Sequence, residues 1–131
     1  MITVKIPAAI RVCSPVVCVS EPSVGSFEIG ERHVIKSTED GEAHVNGWWT
    51  PRACWALVIS DPTGAAHLAW WLRAQPARSR ETFLADSAAL GCDAQTLISV
   101  IERASVAADC TRRDLELLRD YAHRVAGVTN G

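Results

Sequence analysis

The chain has 131 residues and a mass of 14.2 kDa, which is enough for one domain but not for two separate hydrophobic cores. Apolar residues make up 48% of the sequence, charged residues 21%, and the mean hydropathy is +0.08, so a disordered or low-complexity chain is excluded. Thirteen Lys and Arg against fifteen Asp and Glu give a net charge of −2, so no overall basic field attracts nucleic acid or an anionic membrane. We therefore predict a single domain over residues 1–131, divided into a β-rich part (1–60) and a helical part (61–131).

The cellular compartment is predicted from the apolar runs and the cysteines. The longest apolar stretches, 16–19 and 54–59, are far shorter than the ~20 residues that cross a bilayer, so we expect no contact with a membrane. Pro7, Arg11 and Pro15 interrupt the first apolar segment, which is not typical of a signal peptide. An odd number of cysteines favours reduced, buried thiols and a cytoplasmic protein. The five are Cys13, Cys18, Cys54, Cys92 and Cys110.

The first sixty residues carry short apolar or alternating runs separated by Pro and Gly, which predict about five or six short strands. The runs lie at Val4 and Ile6, Ile10 and Val12, 16–19, Phe27 and Ile29, and 34–35. An Asp40-Gly41 turn is expected to join strands 33–37 and 43–49, because Gly accepts the positive φ of a tight hairpin. The run 54–59 has no polar position, so we expect a central strand covered on both faces.

After residue 60 the pattern becomes helical, and four helices are expected. Asp61-Pro62 opens a helix through 65–75 that Pro76 ends, and Ser79 caps a second helix that runs to Leu90 and ends at Gly91. Asp93 caps a third helix, with Leu97, Ile101, Ala104 and Ala108 on one face, and Thr111 caps a fourth that ends at Gly127. Strands followed by helices predict an α+β fold, with an N-terminal antiparallel sheet packed against a C-terminal helical layer.

No pattern of metal-binding, cofactor-binding or acid–base residues is found. Cys13-x4-Cys18 followed by His33 and His44 lacks the two-residue ligand spacing of a zinc knuckle. The glycines are scattered, so no phosphate-binding loop of the GxGxxG or GxxxxGK type occurs. We predict no cofactor, no metal and no enzymatic activity.

The dipeptide Cys54-Trp55 resembles the Cys-Trp of papain-like cysteine proteases, a resemblance that would imply a nucleophilic thiolate. The glycine-containing approach to that cysteine is absent here, and residues 56–59 read as a buried strand. A cysteine-dependent enzyme acting through Cys54 is therefore the third of three functional alternatives.

Residues 83–103 resemble a helix-turn-helix motif. A small Ser87 lies four residues before Gly91, and Asp93 follows as a helix cap. The resemblance implies that Gln95 and Ser99 face a DNA groove and that Arg103 supplies a nearby positive charge. Residues 61–131 contain eight Arg against nine acidic residues, so nucleic acid is an unfavoured partner. A DNA-binding regulator is the second alternative.

The tryptophans favour the first alternative, because they are five of only eight aromatic residues. If 43–49 is one strand, Trp48 and Trp49 point to opposite faces, and only one indole can enter a one-sided core. Trp is enriched at interface hot spots. We therefore predict a non-enzymatic interaction factor with a binding, assembly or inhibitory role, as is common among phage and mobile-element accessory proteins. Its partner is another protein or a second copy, bound through Trp48 and Trp49, with Trp70 or Trp71.

Overall fold

The structure is a computed structural model that describes residues 2–7, 9–86 and 94–130. Six strands precede four helices, so the predicted α+β class is confirmed. The strands are β1 (Thr3–Lys5), β2 (Pro15–Cys18), β3 (Arg32–Glu39), β4 (Glu42–Val45), β5 (Trp48–Pro51) and β6 (Trp55–Val58), with a 3-10 turn over Arg52–Cys54. The helices are α1 (Pro62–Ala74), α2 (Ala77–Asp86), α3 (Ala94–Ala107) and α4 (Arg112–Asn130).

All strand pairs are antiparallel, in the order β1-β6-β2-β3-β4-β5. Strands β2 to β5 form a meander, and the 3-10 turn then returns the chain so that β6 pairs with β2. The Trp55 Nε1–H on β6 donates to Thr50 Oγ1 on β5 at 2.8 Å, although three strands separate β5 from β6 in the sheet order. Arg52 N–H donates to the Gly41 carbonyl at 2.9 Å. The sheet is therefore curled, so that β5 lies close to β6.

Two consecutive hairpins shape the end of the meander. The predicted Asp40-Gly41 turn is confirmed, with φ values of +41° and +83°. The predicted strand 43–49 is wrong, because β4 ends at Val45 and β5 begins at Trp48. Asn46 and Gly47 between them have φ values of +48° and +87°, which is the geometry of a two-residue hairpin turn.

Three other strand predictions need correction. Ile10 and Val12 form no strand, and neither do Phe27 and Ile29. Positive φ values at Gly25 and Gly30 bend the segment that contains Phe27, whose ring packs edge-on against Trp55 at 5.1 Å instead. Strand β6 is buried on both faces, as predicted, but it is the second strand in the order, and β2 and β3 are the central strands.

Two of the four helices, α1 and α4, begin at their predicted capping residues. Asp61 Oδ1 accepts from Thr63 N–H at 2.9 Å, and Thr111 Oγ1 accepts from Asp114 N–H at 3.2 Å, as the sequence predicts. The predicted Ser79 cap is wrong, because α2 already begins at Ala77. The predicted stop at Gly127 is also wrong, because α4 continues to Asn130. The predicted Leu90, Gly91 and Asp93 boundaries lie outside the described residues.

Helix α1 lies between the sheet and the other helices, since it contacts β2 and β6 as well as α3 and α4. The predicted apolar face of α3 is buried, except that Ala108 is only half-buried, and α4 buries Leu118, Ala122 and Val125. The fully buried side chains of these faces include Leu97, Ile101, Leu118 and Ala122. One continuous core therefore joins the inner side of the sheet to the helices.

The described cysteines are free thiols, but they are not all buried as predicted. Cys18 and Cys54 are buried, whereas Cys110 is half-buried and Cys13 is exposed. Cys13 has a φ of +68° in a turn before β2, which keeps its side chain outside the core. Cys92 lies outside the described residues. In the described part of the chain, no helix is long and apolar enough to cross a membrane.

Candidate functional site

Trp48 and Trp49 lie on β5, the last strand of the sheet, where both indoles are substantially exposed at 49% and 42%. Trp48 pairs with the buried Val45, whereas Trp49 pairs with His44. Successive strand residues point to opposite faces, so the two indoles flank the edge of the sheet, one on each side. The Asn46-Gly47 turn places them there.

Trp48 lies on the core side of the curled sheet, against the loop between β2 and β3. A Cβ atom added to Gly25 would lie 3.1 Å from the Trp48 ring and 2.7 Å from that of Phe27. The loop thus approaches one side of the Trp48 indole closely and leaves the other half in solvent. Glycine is required at position 25, because its φ is positive and because a side chain there would clash with the two rings.

Trp49 lies on the outer face of the sheet, with its ring centroid 5.0 Å from that of His44. Beside it, Glu39, Asp40 and Glu42 of the first hairpin line the same shallow depression. None of these carboxylates forms an ion pair with another described residue. We call Trp48, Trp49, His44 and these three acidic residues the edge-tryptophan surface.

The backbone of β5 is a poor template for an added strand. In a two-residue hairpin, Val45 and Trp48 form a hydrogen-bonded pair, so Trp48 and Thr50 direct their backbone groups toward β4. Trp49 and Pro51 face outward, and Pro51 has no N–H to donate. A partner at this edge is therefore expected to bind through the indoles and carboxylates rather than by extending the sheet.

The other two predicted interface tryptophans lie elsewhere. Trp71 is 4% exposed and packs against Phe83 at 4.8 Å, so the prediction of a surface role for Trp71 needs correction. Trp70 is half-buried on α1, with the Arg11 guanidinium 5.3 Å from its ring. In the described residues no ring contact joins Trp70 to either indole of β5. Neighbouring helical positions differ by about 100° in direction, which is why one indole faces the core and the other does not.

The helix-turn-helix alternative falls partly outside the described residues, since its turn would lie within 87–93. Phe83, Leu97 and Ile101 are buried, as they would be in any packed helical hairpin. On α3, Gln95 and Arg103 are exposed and Ser99 is half-buried. DNA binding through these residues stays a prediction.

The cysteine-enzyme alternative depends on Cys54, which is 7% exposed at the end of the 3-10 turn, directly before β6. Its backbone carbonyl accepts hydrogen bonds from Val19 N–H at 2.8 Å and Ser20 N–H at 3.3 Å, which fasten β2 to the 3-10 turn. No described histidine is hydrogen-bonded to its thiol. Catalysis by Cys54 therefore stays a prediction. The contacts of Cys54 are those of a residue packed in the sheet.

A Ser–His contact that sequence reasoning missed joins β2 to α1. His67 Nδ1 lies 2.7 Å from Ser14 Oγ, and the Ser14 hydroxyl donates to the Arg11 carbonyl at 2.6 Å. With its proton used in this way, Ser14 Oγ accepts from His67 Nδ1–H. Because Ser14 is fully buried, the pair fastens α1 to the sheet rather than presenting a nucleophile. Burial and the nearby Arg11 charge lower the pKa of His67.

No group of three or more His, Cys, Asp or Glu side chains suited to hold a metal ion occurs within 2–7, 9–86 and 94–130. Comparison with protein-family models, with curated proteins and with solved structures gave no significant match.

Proposed function

We propose that the protein is a non-enzymatic interaction factor that binds another protein through the edge-tryptophan surface. The observation that carries the proposal is the exposure of two adjacent indoles on the end strand of the sheet. Burying apolar surface contributes about 25 cal/mol per Å², so a partner that covers the two rings gains binding energy. Trp is also the residue type most enriched at binding hot spots.

The charge of the surface indicates the chemistry of the partner. Glu39, Asp40 and Glu42 are exposed and without ion pairs in the described structure, and the Trp49 ring borders the same depression. An Arg or Lys side chain in this depression would contact an indole face and carboxylates together. We therefore assign the surface to a partner segment that carries basic residues. A cytoplasmic setting is part of the proposal, since the described cysteines are free thiols.

The test measures binding of extended peptides rich in Arg and Lys, beside charge-reversed peptides of the same length, together with sedimentation of the protein alone. Trp48→Ala and Trp49→Ala should each weaken binding of the basic peptides by roughly 2 kcal/mol, or about thirtyfold, with the melting temperature nearly unchanged. Trp70→Ala is the matched control and should leave binding intact.

Three results would contradict the proposal. The first is equal binding of basic and acidic peptides, and the second is a steep loss of melting temperature in both variants without any change in binding. The third is a tryptophan-dependent dimer with no affinity for basic peptides, which would assign the surface to a second copy of the chain.

A further inference from the structure

A groove lies between the end of β1, the 3-10 turn and the first turns of α2, on a part of the molecule separate from the edge-tryptophan surface. Its volume is about 470 Å³, within the range of small-molecule sites. Ile6, Trp71 and Phe83 are buried side chains that form its apolar floor. The Trp71 and Phe83 rings meet there at 4.8 Å, with an interplanar angle of 61°. The floor therefore offers two aromatic rings.

Three positive side chains border this groove, and each comes from a different element. Lys5 belongs to β1, Arg52 to the 3-10 turn and Arg78 to the first turn of α2. The described lining includes no carboxylate, and none of the three cations forms an ion pair with another described residue. Hydroxyl and amide groups of Ser79, Thr82 and Gln75 complete the polar rim.

Several arginines elsewhere in the fold do have a carboxylate partner, unlike the three cations of this groove. Arg73, Arg119 and Arg124 each reach a carboxylate on a neighbouring helix, whereas Lys5, Arg52 and Arg78 reach none among the described residues. Bringing three like charges to one groove without a counter-charge costs electrostatic free energy. A bound anion would remove that cost and would be favoured by the charge of all three.

We propose that this groove binds a small organic oxyanion, a phosphate or carboxylate attached to an apolar, ring-containing body. The oxyanion accepts hydrogen bonds from Lys5, Arg52 and Arg78, since guanidinium groups match the geometry of both anions. The ring lies on the floor formed by Trp71 and Phe83. None of the residues of the edge-tryptophan surface lines the groove, so the two proposals stand or fall separately.

The experiment is a titration of the full chain, followed by amide chemical shifts, with four probes: adenosine monophosphate, indole-3-acetate, octanoate and inorganic phosphate. The first two carry a ring and an oxyanion and should bind most tightly, with shifts at residues around the groove. Their relative affinity distinguishes phosphate from carboxylate as the preferred anion.

Arg52→Gln and Arg78→Gln should each weaken the tighter probe by about tenfold or more. Arg80→Gln is the matched control, because it removes the same charge from the same helix but borders a different depression. Binding should also weaken as salt increases.

The site is overturned if no probe binds at millimolar concentration, if the shifts map away from the groove, or if Arg80→Gln weakens binding as much as Arg78→Gln. The ring-binding part is overturned if inorganic phosphate binds as tightly as adenosine monophosphate.

Discussion

The contacts between helices and the hairpins of the sheet differ in whether their charged side chains form ion pairs. In the helices, Arg73 pairs with Asp114, and Arg119 pairs with Glu102 at 2.8 Å, so charges on one helix are offset by a neighbour. In the hairpins, carboxylates with no ion pair in the described structure stand beside the exposed Trp49 ring. These arginines of the helical part are paired within the molecule, whereas the edge-tryptophan surface has exposed carboxylates and exposed indoles without such pairs in the described structure.

The indoles show the same division. Trp55 is buried and its N–H is bonded to Thr50, and Trp71 is buried among core rings. Trp48 and Trp49 are the two exposed ones, and both lie on the end strand. Among the described residues, the two most exposed indoles therefore lie on one edge of the sheet, and the proposed binding role follows from this position and not from residue type.

The largest expected effect compares a core indole with an edge indole. Trp71→Ala should lower the free energy of unfolding by about 3–5 kcal/mol, because it empties a packed site against Phe83. Trp49→Ala should change it by less than about 0.5 kcal/mol. Urea unfolding followed by circular dichroism measures both. Equal losses in the two variants would remove the distinction between core and edge.

Gly64→Ala tests how closely the helical part approaches the sheet. A Cβ on Gly64 would overlap the Val58 carbonyl oxygen and lie 2.8 Å from its carbonyl carbon, so α1 would have to shift. We expect a loss of about 1–3 kcal/mol in the free energy of unfolding. A Gly-to-Ala change within a helix ordinarily raises the free energy of unfolding by about 1 kcal/mol. A stabilised Gly64→Ala variant would therefore contradict the close approach of Gly64 to the Val58 carbonyl.

The hydrogen bond between Trp55 on β6 and Thr50 on β5 should have a smaller effect on stability. Trp55→Phe removes the hydrogen bond to Thr50 and should cost about 1 kcal/mol of unfolding free energy. Thr50→Val removes the same bond from the other side, together with the bond that the Thr50 hydroxyl donates to the Ala43 carbonyl at 2.9 Å. Because the two residues share one interaction, the double variant should lose less than the sum of the single losses. Strict additivity would show that the bond does not contribute.

The smallest expected effect is a pH dependence from His67, at the join between sheet and helices. Burial and Arg11 lower the pKa of His67 below its usual 6.5, so the folded chain takes up this proton less readily than the unfolded chain. Stability is therefore complete above pH 6.5 and decreases as the pH falls through that value toward the folded pKa.

Urea unfolding at pH 8 and pH 5 measures this decrease. His67→Asn keeps an N–H near Ser14 but does not titrate, so it should flatten the dependence. His123→Asn, at an exposed position of α4, should keep it. An unchanged slope in His67→Asn would assign the pH dependence to other groups.

Much of the fold was predictable where a local signal acts alone. Asp61 and Thr111 cap α1 and α4 as their side chains suggest, and Asp40-Gly41 forms the expected turn. Asn46-Gly47 carries the same kind of hairpin signal inside the predicted strand 43–49, and the turn that it forms divides this strand into β4 and β5. The curl of the sheet was beyond local pattern, since it depends on contacts between strands that are not neighbours.

The candidate sites were predictable to different degrees. Exposure of one of Trp48 and Trp49 was expected, because adjacent strand residues cannot share one core face, but exposure of both was not. The burial of Trp71 was not, because sequence alone does not fix how α1 is rotated about its axis. Lys5, Arg52 and Arg78 are far apart along the chain and form no motif, so only the folded sheet and helices show that they border one groove.

The short strand β1 has a consequence for local opening of the sheet. Strand β1 pairs only with β6, whose other edge pairs with β2, so β1 is the outermost strand on this side of the sheet. A three-residue end strand with one partner is expected to detach first in local opening, with the fastest amide exchange in the sheet. Since Lys5 is part of β1, an anion bound to Lys5 and Arg78 together would tie the earliest-opening strand to the helices and slow that exchange.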